Sequence, residues 1–146
     1  MDYKKSVVVK SSIELVFRGL TKEIDKWWSS VENSATKEGC LFKVSFGEES
    51  YWKFKVLELI KSEKIIWECV ESHQDHNLVG IDEEWLNSKI HWMISDLDGK
   101  VKVDFWHEGL VSTGICYDVC SSAWDFYILD SLKNYLETGN GKPGQN

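Results

Sequence analysis

Residues 116–143 read CYDVCSSAWDFYILDSLKNYLETGNGKP. Their apolar members, Cys116, Cys120, Ala123, Trp124, Tyr127, Ile128, Leu132 and Tyr135, recur at steps of three and four and make one long stripe. Gly139 and Gly141 stop the pattern and Pro143 confirms the stop. The spacing predicts a long amphipathic helix ending at Gly139, with residues 140–146 as a disordered tail. A helix with one apolar stripe must lie on something.

The residues before it supply the surface. From residue 41 the apolar period is two rather than 3.6. LFKVSFG (41–47) sets Phe42, Val44 and Phe46 against Lys43 and Ser45, and YWKFKVLELI (51–60) sets Trp52, Phe54 and Val56 against Lys53 and Lys55. EKIIWECV (63–70) carries Ile65, Trp67 and Cys69 on one side; SKIHWMISDL (88–97) carries Ile90, Trp92 and Ile94. KVKVDFWHEG (100–109) aligns Val101, Val103, Phe105 and His107. These are five strands, each apolar on one face, and the short polar links GEES, KSE and DLDG make them an antiparallel meander. The exception is SHQDHNLVGIDEEWL (72–86), which reads as a long mobile loop.

Upstream, KKSVVVK (4–10) reads as a strand. Ser11 or Ser12 can cap a short helix carrying Ile13, Val16, Phe17 and Leu20, and a second short helix carries Thr21, Ile24, Trp27 and Trp28. The order is one strand, two short helices, five antiparallel strands and one long carboxy-terminal helix: an α+β fold in which a curved sheet grips the helix. Sheet and helix diverge at one end, leaving a cavity that the short helices plug. The row Leu20, Ile24, Trp27 places Trp27 in the packed interior; Trp28, about 100° round the helix, is the candidate for the cavity mouth, the alternative being that both rings are buried.

The stretches SVVVKSSIELVFRGLTKEIDKWW (6–28), FKVLELIKSEKIIWECV (54–70), DFWHEGL (104–110) and SSAWDFYILDSLKNYLETGNGKP (121–143) carry a resemblance. The chain resembles the START-like (Bet v-like) SRPBCC helix-grip superfamily. Within it, the chain is similar to the branch named after the activator of heat-shock-protein ATPase, which has polyketide cyclase-like relatives. The resemblance covers nearly the whole chain and implies a single helix-grip domain over residues 1–139. It implies little about activity, because the fold hosts cyclases, lipid carriers, hormone receptors and cochaperones.

Composition narrows the function. The chain has 146 residues, a net charge of −7 and a pI near 5.1. Scattered basic residues in an acidic chain argue against nucleic acid as a partner. No apolar run approaches a membrane span, and the amino terminus lacks the pattern of a signal peptide, so a cytoplasmic protein without a membrane partner is expected. Cys40, Cys69, Cys116 and Cys120 form no CxxC pair and read as reduced thiols. GNGKPG follows a helix instead of preceding one, so no phosphate loop and no cofactor is expected. His73, Asp75, His76, Asp82, Glu83 and Glu84 match no metal-ligand spacing and read as a solvated acidic loop, with no metal.

Eight tryptophans are left to explain. Trp52, Phe54, Trp67, Trp92 and Phe105 should face the long helix, with Trp124 and Cys120 opposite and Trp28 at the mouth. They predict a site for a hydrophobic or aromatic small molecule. The rival is that the rings fill the space: an empty apolar void of ~300 Å³ would cost about 7 kcal/mol, comparable to the stability of a domain. His107 is the one titratable group on the inner face. It is expected to help bind a ligand; catalysis of a cyclase or hydrolase type is the alternative, though no partner carboxylate shares its face. A third reading is a module that contacts a chaperone or regulator through its outer sheet face or the long loop; Ile66, Met93 and Trp106 on that face hint at an apolar patch that a homodimer would also use, and monomer and homodimer both stay open.

Overall fold

The computed structural model describes residues 2–33, 35–46, 50–73, 85–114 and 117–144. Strands β1 (Asp2–Val9), β2 (Ser30–Glu32), β3 (Leu41–Phe46), β4 (Ser50–Ile60), β5 (Lys64–His73), β6 (Lys89–Leu97) and β7 (Lys100–Val111) form one antiparallel sheet in the order β1-β7-β6-β5-β4-β3-β2. The carboxy-terminal helix, α2, lies across its concave face. It runs as Tyr117–Phe126, a π-helical turn Tyr127–Leu132 and a last stretch Lys133–Thr138. Among the described residues no helix is long and apolar enough to cross a membrane.

Local chemistry sets the boundaries. The Ser12 hydroxyl accepts from the Leu15 amide at 3.2 Å and opens α1 (Ile13–Gly19). Asp98 and Gly99, at φ 51° and 83°, make the two-residue hairpin between β6 and β7 that their order in sequence demands. Gly139, at φ 86°, ends α2 with its amide on the Tyr135 carbonyl. The β4–β5 pairing slips twice, between Lys53 and Phe54 and between Val56 and Glu58. Each slip bends the strands at that point, and the curvature wraps the sheet round the helix.

The alternating residues of β3–β7 point as the sequence predicts. Phe42, Phe54, Trp67, Trp92, Phe105 and Trp124 are buried in one core. Three features depart from the sequence reading. The second short helix is a single 3₁₀ turn, Ile24–Lys26. A continued helix would splay the two indoles apart. Instead Trp27 leaves helical geometry at φ −129°, its Nε1 donates to the Gly19 carbonyl at 2.7 Å, and the two rings stack at 5.9 Å and 11°. The chain then runs straight into β2, a seventh strand too short to show any alternation.

The second departure is the tail. Residues 140–144 are fastened where disorder was expected: the Gly144 amide donates to the Trp28 carbonyl at 2.7 Å, and the Lys142 amide donates to Ser131 Oγ, which itself donates to the Trp27 carbonyl. Residues 145 and 146 lie outside the described residues. The third is Cys120, expected as a reduced thiol but disulfide-bonded; Cys40 and Cys69 are free, and Cys116 lies outside the described residues.

A Cβ on Gly141 would stand 2.1 Å from the Lys26 carbonyl oxygen, a backbone atom that cannot turn away. Gly141→Ala is therefore expected to detach the tail and cost about 1–3 kcal/mol, the range for overpacked sites. Hydrogen exchange at the Lys142 and Gly144 amides measures it: protection equal to the parent's would mean that the close approach is not holding the tail.

Candidate functional site

Where β3 and β4 draw away from the first turns of α2, a cleft of about 180 Å³ remains. Phe46, Ser50 and Trp52 wall it from the sheet, Trp28 and Trp85 from the connections, and Val119, Cys120, Ala123, Trp124 and Tyr127 from the helix. No charged side chain lines it among the described residues. The indoles are ordered. Trp52 and Trp85 stack at 4.1 Å and 17°, Trp85 and Trp124 lie parallel at 5.8 Å and 10°, and Trp28 meets Trp124 at 4.9 Å.

Of the residues chosen from the sequence, Trp28, Trp52, Cys120 and Trp124 line this cleft. Phe54, Trp67, Trp92, Phe105 and His107 do not; they form the layer behind it. Trp28 is only 2% exposed and stacks on both Trp27 and Trp67, so it is core on one face and cleft wall on the other. Sequence reasoning missed Phe46 and Tyr127, and above all Trp85. Trp85 closes the long loop and is 3% exposed. The loop's acidic run ends in one tryptophan, and a large apolar ring at the end of a polar segment was the available signal. Of the acidic loop cluster, only His73 is described; it ends β5 with its ring 6.1 Å from that of Tyr51. Asp75, His76, Asp82, Glu83 and Glu84 lie outside the described residues, and among those that are described no group of three or more metal-ligating side chains occurs.

His107 is fully buried, and both its nitrogens are engaged. The Trp124 indole can only donate, and its Nε1 lies 3.1 Å from His107 Nδ1, so Nδ1 is the bare nitrogen. Nε2 therefore carries the proton and donates to Ser88 Oγ at 2.9 Å; that hydroxyl donates onward to the Trp85 carbonyl at 2.6 Å. Burial pushes the imidazole down from its usual 6.5 to about 3, with the Asp2 charge acting upward and His91 downward. Three other indole N–H groups, on Trp67, Trp85 and Trp92, are buried without a hydrogen-bond partner among the described residues.

A family model described as Activator of Hsp90 ATPase homolog 1-like protein matches residues 10–137. No curated protein matches the chain. Among solved structures, the chain is similar to the solution structure of the Aha1 dimer from Colwellia psychrerythraea, at 25% identity and a TM-score of 0.78, over 97% of this chain and 99% of that one. It shares its fold with DynU16, a protein in the dynemicin biosynthetic locus (14% identity, TM-score 0.71, 94% of this chain and 48% of that one). It also shares it with CalU16 from Micromonospora echinospora (9% identity, TM-score 0.61, 86% and 69%).

Two measurements test this geometry. Trp124→Ala removes a ring that is 2% exposed and is expected to cost about 3–5 kcal/mol; Trp124→Phe keeps most of the packing, strands His107 Nδ1 and should cost about 1–3 kcal/mol. A chemical-denaturation midpoint equal to the parent's in the alanine variant would remove Trp124 as the anchor. The second concerns pH. The unfolded chain takes up a proton near pH 6.5 that folded His107 refuses until about 3. Stability is therefore full above about 6.5 and falls as pH drops toward 3, by at most about 1.4 kcal/mol per pH unit. Between about pH 7 and about pH 5, the parent should lose about 2 kcal/mol more than His107→Gln. Equal losses would show that His107 is not the buried neutral group.

Proposed function

The chain belongs to the Activator of Hsp90 ATPase homolog 1-like family, and we propose that it is a small binding domain whose cleft takes a neutral, planar aromatic molecule. The observation that carries this is the lining itself: four indoles, Phe46 and Tyr127 round an open space with no charged side chain among the described residues. An ionised group placed there would lose its water without a partner to compensate, whereas a flat uncharged ring would exchange water for indole faces. Volume limits the size. An apolar cavity of about 150 Å³ holds benzene, so about 180 Å³ suits one ring or a compact pair of rings. A larger groove of about 360 Å³, between β2 and the tail, has no aromatic wall and includes Asp25, Ser29 and Ser30. It lacks the apolar lining that ligand sites have.

The enzymatic alternative rested on His107, and the geometry does not support it. A general base must reach its substrate's proton. His107 lies outside the cleft with neither nitrogen available. Association through the outer face of the sheet is a second reading with its own observation. Met93 is 50% exposed beside Trp106, with Leu41 and Leu57 also exposed on that face, and the Colwellia neighbour is a dimer. We propose that this chain pairs with itself there; sedimentation of Met93→Glu against the parent decides it, since an unchanged mass would exclude that face.

For ligand binding, 2-naphthol is a suitable neutral probe, and the indole N–H signals of the protein are the readout. Saturable shifts are expected at Trp28, Trp52, Trp85 and Trp124, with none at Trp106 on the opposite face. Trp52→Ala should abolish saturation. A titration in which no indole signal moves saturably, or only that of Trp106 does, would remove the reading.

A further inference from the structure

The relay behind the cleft joins the two indoles that form its far wall. Trp124 comes from α2 and Trp85 from the end of a loop, and among the described residues no backbone hydrogen bond connects those segments to each other. What connects them is the chain Trp124 Nε1–H to His107 Nδ1, His107 Nε2–H to Ser88 Oγ, and Ser88 Oγ–H to the Trp85 carbonyl. The His107 ring also stands edge-on to the Trp85 indole, at 4.5 Å and 90°. Ser88 is seated for this role. Its carbonyl accepts from the Cys69 amide at 2.9 Å, which fixes it to β5. Gly109 of β7 leaves it room, because a Cβ there would come within 3.1 Å of the Ser88 Cβ.

We propose that His107, acting with Ser88, is the positioning residue of the cleft: it holds Trp124 and Trp85 parallel and so sets the slot that selects a planar ring. This rests on the reading of the cleft as an aromatic-ligand site. The relay works in one protonation state only. A second proton on His107 would sit on Nδ1, facing the indole N–H, and the two donors would repel. The charged or titratable groups bearing on His107 are Asp2 on β1 and His91 on β6. Cys69 on β5 stays a neutral thiol, since burial pushes it up to about 12. A merely structural histidine would affect stability alone; a positioning one also governs the indole signals and the affinity for a flat ligand.

The test compares the parent with His107→Gln, Ser88→Ala and Ile65→Ala, the last a buried β5 residue outside the relay that serves as a stability control. The Trp124 indole N–H signal is followed without ligand, and 2-naphthol is then titrated. His107→Gln should shift the Trp124 signal and weaken binding about five- to tenfold, the effect of one lost hydrogen bond. Ser88→Ala should keep the Trp124 signal near its parent position and weaken binding to a smaller degree. Ile65→Ala should lose stability without loss of affinity. The parent's affinity should stay level from about pH 7.5 to about pH 5, because folded His107 does not titrate there. Equal affinity in the parent and His107→Gln, or a loss in Ile65→Ala as large as in His107→Gln, would overturn the proposal and leave the binding reading standing. If the parent itself binds nothing, the binding reading falls, and the ligand-free indole signals decide whether His107 positions the rings: an unmoved Trp124 signal in His107→Gln overturns that as well.

Discussion

The Trp124 indole donates its one hydrogen bond to His107, and much of the interior is arranged round that contact. An indole N–H cannot accept, so burying it without cost requires an acceptor opposite it. The acceptor comes from β7, which commits α2 to a fixed height over the sheet. It also commits the histidine to its neutral form, and this form leaves Nε2–H in need of an acceptor in turn. Ser88 meets that need, and its position fixes the turn that carries Trp85. One donor on the helix thereby determines the placement of a strand residue, a loop residue and a second indole. The rings that then surround Trp124, among them Trp28, Trp85 and Phe105 at 4.5–5.8 Å, complete its packing.

A gripping sheet leaves more space over its concave face than a helix of ordinary side chains can fill. Here aromatic rings fill most of it. The layer of Phe54, Trp67, Trp92 and Phe105 closes the region that in a sparser sequence would be void, and about 180 Å³ is left at the rim. Sealed and empty, that volume would cost about 4 kcal/mol. At the rim, water can enter, and the penalty is smaller. The cleft is therefore compatible with a stable domain before any ligand arrives. The less comfortable feature is the three buried indole N–H groups without partners among the described residues, each of which gives back a part of what burying its ring contributes.

How far the sequence disclosed this depended on periodicity. Strands β3 to β7 and the helix stripe could be read because burial of one face imposes a period of two or of 3.6, and His107 was placed correctly on an inner face by the same alternation. The choice of Trp27 over Trp28 for burial assumed that the helix continued. Both are buried, because the chain abandons the helix in order to stack them, and a pattern that presumes regular backbone cannot announce its end. Strand β2 has three residues, too few for any alternation. The tail is rich in glycine and polar residues and reads as coil, yet Ser131 and the Trp28 carbonyl hold it by contacts formed only in the folded chain. Trp85 belongs to the same class: a loop has no period to read, and the one signal was a large apolar ring at the end of a polar segment.

Two of those residues, Trp28 and Trp85, line the cleft. Its lining draws on Trp28, just past a 3₁₀ turn, on Trp85, at a loop end, and on Tyr127, in a π-helical turn, whereas the layer behind it consists of regular strand residues. The two sets obey different constraints. A strand residue in the back layer is fixed by register, and a one-residue change of register would turn every ring of that strand outward. A residue on an irregular segment can change, or its segment can shift, without altering the register of any strand. The sheet and helix thus form a rigid support, and the shape of the cleft is set by the parts of the chain that the support determines least. This separation gives a physical reason why chains that share so little sequence can share the fold.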